Sequence, residues 1–171
     1  MRIPIFLSCP TVLNATQDSA RAVILGELRK LDLEPRALGR SDYPTEYPLR
    51  EVMLVARHCS GGVVLGFEQF RATAGIWKPN TKELRKINSA IGFPTEWNNL
   101  EAGILFSLRL PLLIFKEPHI SGGVFDSGVS DVFVHKMPMP PLSISEKKAV
   151  RDVFLKWQAR VREHYYGPSQ D

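Results

Sequence analysis

An α/β domain, doubly wound around a parallel sheet of about five strands with helices on both faces, is the fold that this 171-residue sequence predicts. Three observations carry the prediction. The apolar runs at residues 3–8, 61–66 and 112–115 lack the polar alternation of a half-solvated strand, as strands covered on both faces do. Other segments carry apolar residues at helical spacing. The two kinds alternate along the chain, and that order selects a parallel sheet. A single domain spanning 1–171 is expected, because the chain is long enough to bury its own core.

Residues 3–8 form the first strand, closed by Cys9 and Pro10. Residues 14–31 set Ala20, Val23, Ile24, Leu28 and Leu31 on one helical face, with Arg29 and Lys30 in the last turn. A weak second strand follows at 35–38, then a loop at 39–48 rich in turn formers. Pro48 suits the first turn of a helix reaching about residue 58, with Leu49, Val52, Met53 and Ala56 inward. Val63, Val64 and Leu65 centre the third strand at 61–66.

From 67 to 97 the pattern loosens into a long, lid-like connection, in which Thr81 is expected to cap a short helix through Leu84, Ile87 and Ile91. Leu100, Ile104 and Leu108 then fall at i, i+4 and i+8, one buried stripe of a further helix before the strand at 112–115. A Gly/Ser/Asp loop fills 119–131, and residues 132–134 make the fifth strand. Ser143 and Glu146 form a capping box, opening a last helix from about 146 to 164 that buries Val150, Val153, Phe154, Trp157 and Val161.

Composition excludes several function classes. The formal charge of +4 is mildly basic, which suits a phosphate-bearing small ligand and not the concentrated basic face of a nucleic-acid binder. No apolar run reaches transmembrane length, so neither nucleic acid nor membrane is an expected partner. The opening residues turn polar too quickly for a secretory signal, and two cysteines make no disulfide framework, so a cytoplasmic location is expected. There is no Walker loop, no Gly-x-Gly-x-x-Gly after the first strand and no Gly-x-Ser-x-Gly elbow. Cys9, His58 and Cys59 match no zinc spacing, so neither a metal nor a cofactor is expected. A Cys9 nucleophile with a histidine partner stays open.

Ligands of such sheets bind beyond the carboxyl ends of the strands. Ser8 and Cys9 line that edge after the first strand, and residues 66–69, Phe67 among them, line it after the third. The helix carrying Glu101 opens there too, and Glu101 has two readings. With Asn98 as N-cap, it is the third residue of a capping box. Otherwise it is a carboxylate at the mouth of the sheet, placed for chemistry. The connection before it is basic, with Arg71, Lys78, Lys82, Arg85 and Lys86 against Glu68, Glu83 and Glu96. These charges make either a solvated face or a phosphate clamp. Trp77 and Trp97 either pack in the core or stack a base.

Ile5-Phe-Leu-Ser8, and Trp97-Asn-Asn-Leu-Glu-Ala-Gly-Ile104 ahead of an apolar strand, resemble the superfamily that unites nucleoside 2-deoxyribosyltransferases with TIR (Toll and interleukin receptor) domains. Gly128-Val-Ser-Asp131 is similar to a segment found late in the deoxyribosyltransferases. The resemblance implies a flavodoxin-like or TIR-like sheet and cleavage of an N-glycosidic bond, with Glu101 attacking C1′ or stabilising the oxocarbenium ion there. The deoxyribosyltransferases carry an Asp near the end of the second helix, where this chain has Cys59-Ser-Gly61. That departure favours a cationic leaving group such as the nicotinamide of NAD, because a neutral base needs a general acid as well. Asp126 or Asp131 would be that acid if the late loop folds over the pocket.

The reading that results is a nucleotide N-glycosidase with NAD or a related nucleotide as substrate and Glu101 as catalytic carboxylate, helped by Asp126. Trp97 and Asn98 would shape the pocket, Ser8, Cys9 and Phe67 its floor, and Arg71 or Lys78 would meet phosphate. Trp77 and Asp131 complete the expected binding residues. TIR-like proteins often work as assemblies, so the resemblance also implies a homo-oligomer. Two alternatives stand beside it: a nucleoside deoxyribosyltransferase or nucleoside hydrolase, and a non-catalytic module that senses a nucleotide or assembles as TIR domains do.

Overall fold

The computed structural model describes residues 2–37 and 47–167. In chain order the main elements are β1 (Ile3–Ser8), α1 (Ala15–Lys30), β2 (Leu33–Arg36), α2 (Pro48–Arg57) and β3 (Gly62–Gly66). Four short strands follow: β4 (Phe70–Ala72), β5 (Ile76–Trp77), β6 (Arg85–Lys86) and β7 (Ile91–Phe93). Then come α3 (Glu96–Ser107), β8 (Leu112–Lys116), a 3-10 turn (Gly123–Phe125), β9 (Val134–Lys136) and α4 (Ile144–Tyr166).

Five strands form one sheet in the order β2-β1-β3-β8-β9, and every pairing in it is parallel. The chain steps outward from β1 to β2, crosses back to β3 and continues the other way. A doubly wound α/β fold results, with its topological switch between β1 and β3. Side chains of a strand alternate between faces. Ile3, Ile5 and Leu7 therefore enter one core with α1 and α4, around Ile24, Leu28, Phe154 and Trp157. Phe6 enters the other, with α2 and α3, around Val52, Val64, Ala102 and Leu105. Both faces of the sheet are thus dry, which accounts for the unbroken apolar runs of β3 and β8.

Local chemistry starts the helices. Asn14 caps α1 with Gln17 answering, and Ser143 caps α4 with Glu146 answering, two reciprocal capping boxes. Pro48 stands at the head of α2. Among the described residues no helix is long and apolar enough to cross a membrane.

Outside α3, the structure departs from expectation in four places. The second strand begins at Leu33, two residues early, and Leu38 and most of the loop expected at 39–48 lie outside the described residues. The fifth strand begins at Val134, two residues late. Leu49 is exposed, because the buried positions of α2 are Glu51, Val52 and Ala56. The helix expected after Thr81 is replaced by an antiparallel arm, β4 paired with β7 and β5 with β6. Thr81 makes a turn instead, donating to the Lys78 carbonyl at 2.9 Å and accepting from the Glu83 amide at 3.2 Å. Ile87 lies across Gly75, where any Cβ would stand 2.8 Å from its Cδ1. A short helix there would have no face to bury its stripe against; pairing across the arm satisfies the same backbone.

Candidate active site

The buried stripe of α3 is not Leu100, Ile104 and Leu108 but Asn98, Ala102 and Leu105, and Leu100 is 44% exposed. The helix starts one residue after Thr95, whose hydroxyl accepts from the Asn98 amide at 3.3 Å. Asn98 is therefore the third helical residue and Glu101 lies in the second turn, beyond the reach of a capping box. The capping reading of Glu101 fails. Residues 98, 101 and 102 are related by i, i+3 and i+4, so Glu101 shares the inward flank with Asn98.

A directed chain of hydrogen bonds leads from the helix start to that carboxylate. The Thr95 hydroxyl, already accepting from the Asn98 amide, gives its proton to Asn98 Oδ1 at 2.9 Å. That fixes the amide the other way round, and Asn98 Nδ2 donates to Ser8 Oγ at 2.8 Å. Ser8 is fully buried at the carboxyl end of β1, facing α3, and its hydroxyl bonds the Glu101 carboxylate. With one Ser8 lone pair taken, its single proton is the one left for Glu101. Burial pushes the Glu101 carboxyl above the usual carboxylate range, and the Ser8 hydroxyl pulls it part of the way back.

The neighbourhood of this trio is held by residues that the sequence did not single out. Asn99 Oδ1 accepts from the Val124 amide at 3.0 Å, and a Cβ on Gly123 would fall 2.0 Å from that oxygen, so the late loop docks on α3 through a close approach. Lys116 Nζ ties the same loop down by donating to the carbonyls of Ile120 and Phe125 at 3.1 and 2.9 Å. On the β3 side, Glu117 Oε2 accepts from the Glu68 amide at 2.6 Å and from Gln17 Nε2 at 3.0 Å. The root of the arm is thereby pinned to α1 and to the end of β8.

Of the other expected site residues, few join Ser8, Asn98 and Glu101. Phe67 is fully buried in the core shared with α1 and α4, and half-buried Cys9 packs against that same core. Arg71 is ion-paired with Glu68 at 2.6 Å and Lys78 with Glu83, so each cation of the expected phosphate clamp has a carboxylate partner on its own arm. Trp77 leans on Phe93, ring centroids 6.1 Å apart, and Trp97 stands half-exposed in the first turn of α3. Asp126 Oδ1 accepts from the Gly122 amide at 2.9 Å, closing its own turn, and Asp131 is exposed. Cys9 and Cys59 are thiols without a disulfide. Among the described residues, no three His, Cys, Asp or Glu side chains stand close enough together to hold a metal.

Set against protein-family models, curated proteins and solved structures, the chain matches none.

Proposed function

We propose that the protein is an N-glycosidase that cleaves NAD or a related nucleotide, with Glu101 as the catalytic carboxylate. The observation that carries this reading is a desolvated acid at the switch point of a doubly wound sheet, released from any capping duty and aimed by Ser8. A half-buried carboxylate held by Ser8 gains most when a cation develops against it, and an oxocarbenium ion supplies that cation.

In the proposed reaction the bond between C1′ and the pyridinium nitrogen breaks, and its electron pair leaves with neutral nicotinamide. The cation left at C1′ faces Glu101. Water then adds to C1′, and the proton that it sheds passes to the carboxylate and on to solvent. No acid is needed for such a leaving group, in keeping with Asp126 being engaged by its own loop. Base exchange on a neutral nucleobase is for that reason the second reading, and a module that senses nucleotides without turnover is the third. Kinship with the TIR-like and deoxyribosyltransferase-like superfamily, homo-oligomeric assembly and a cytoplasmic site of action belong to the same proposal.

The test is incubation with NAD, and separately with deoxynucleosides, over a range of protein concentrations that promotes assembly. Nicotinamide release is expected, with Glu101→Gln lowering it roughly 10³-fold or more without a fall in melting temperature. Release of a nucleobase from deoxynucleosides alone would favour the second reading. No release at any concentration, with Glu101→Gln unfolding the chain, overturns the enzyme.

A further inference from the structure

The opposite edge of the sheet holds a hollow of about 960 Å³, where α2, α3 and α4 end. Arg57, Arg109 and Arg160 line it, together with His58, His164 and Glu163. Its volume lies within the ~300–1,000 Å³ of small-molecule sites. The three guanidinium groups come from segments far apart in the chain, so folding brings like charges to one concavity. A cleft lined by one sign of charge concentrates the opposite ion.

Helix ends account for some of these cations but not for all. Carboxyl termini of helices are electronegative, and Arg57 and His164 sit in the last turns of α2 and α4. Arg109 follows α3 and is a different case. Its amide bonds the Phe106 carbonyl at 2.9 Å, and the Leu110 amide bonds the Leu105 carbonyl at 3.2 Å, which together make a Schellman ending. The residue in the middle of that motif takes a left-handed backbone, φ +56° at Arg109, and glycine is what such a position favours. An arginine is thus held in strained backbone at the rim of the cationic hollow, and strain of this kind gathers at sites of function.

We propose that this hollow binds a small molecule carrying two or more linked phosphate groups, gripped by Arg57, Arg109 and Arg160. Planar guanidinium groups match phosphate oxygens in pairs, and several of them around one hollow favour a polyphosphate over a single charge. The site is separate from Glu101, at the other end of the strands.

Calorimetric titration of the whole chain with inorganic tripolyphosphate, and separately with ATP, tests the proposal. Saturable binding is expected, weaker at higher ionic strength, with inorganic phosphate at least tenfold weaker than tripolyphosphate. Arg109→Gly is the decisive variant, because it suits the backbone and removes only the side chain. It should weaken tripolyphosphate at least tenfold without lowering the melting temperature, as should Arg160→Gln, whereas Glu101→Gln should leave binding unchanged. Absence of binding to the wild type, or equal affinity in Arg109→Gly and Arg160→Gln, overturns the site. Binding abolished by Glu101→Gln and spared by the arginine variants would move the anion to the other edge, and overturns it equally.

Discussion

The two edges of the sheet are built on opposite electrostatic plans. Where the strands end, Thr95, Asn98 and Ser8 hand hydrogen bonds along in one direction to a lone carboxylate, and each donor has one acceptor. Where the strands begin, Arg57, Arg109, Arg160 and Glu163 line an open hollow. The first arrangement fixes one group by buried, short-range bonds; the second gathers charge on exposed side chains. A site of the first kind fails when any link is cut, while one of the second weakens in steps.

Substitutions along the chain of donors break that contrast most strongly. Glu101→Gln should cost roughly 10³-fold or more in nicotinamide release, read as initial rate, while Arg109→Gly leaves that rate within about twofold. Asn98→Leu leaves the Thr95 hydroxyl and Ser8 without their buried partner. It should destabilise the chain by about 1–3 kcal/mol, visible as a lower midpoint in urea, and take the activity down with it. Arg109→Gly has the opposite sign. Relief of the left-handed backbone, offset by the extra freedom of glycine in the unfolded chain, should stabilise by roughly 0.5 kcal/mol in the same titration.

The smallest effect is the most diagnostic. Because burial raises the Glu101 carboxyl in the folded chain, the folded state holds more protons than the unfolded one between the ordinary carboxylate value and the raised one. Stability therefore falls as pH rises through that window. Glu101→Gln has no such loss, so its melting temperature should gain on the wild type from acid to neutral pH. A gap that closes or reverses on the way to neutral pH would show a carboxylate that helps its own helix.

Much of the sheet was legible because strands dry on both faces write themselves as apolar runs, and β1, β3 and β8 stand within a residue of where those runs lie. The arm was not legible. Its strands are two or three residues long and pair across up to 23 positions, as Phe70 does with Phe93, leaving no local period to detect. The start of α3 was open in the sequence for a related reason. Thr95 and Asn98 are both good N-caps, and the nearer to Glu101 looked like the cap. The signal was Thr95 directly after Pro94, with a polar residue three positions on. Placing the cap there turns the helix so that small Ala102, not Leu100, meets the sheet, and Glu101 comes inward with it. The Schellman arginine carried no sequence signal, since nothing in Leu108-Arg109-Leu110 announces a reversed backbone.

The arm joins the body through the pairing of β4 with β7, whose outermost rung is Ala72 opposite Ile91, and residues 73–90 lie beyond it. Exchanging residues 73–90 for a tight reverse turn would keep every rung of that pairing and give up the contact of Trp77 with Phe93. Length can therefore vary in this outgrowth while the five parallel strands keep their order and register.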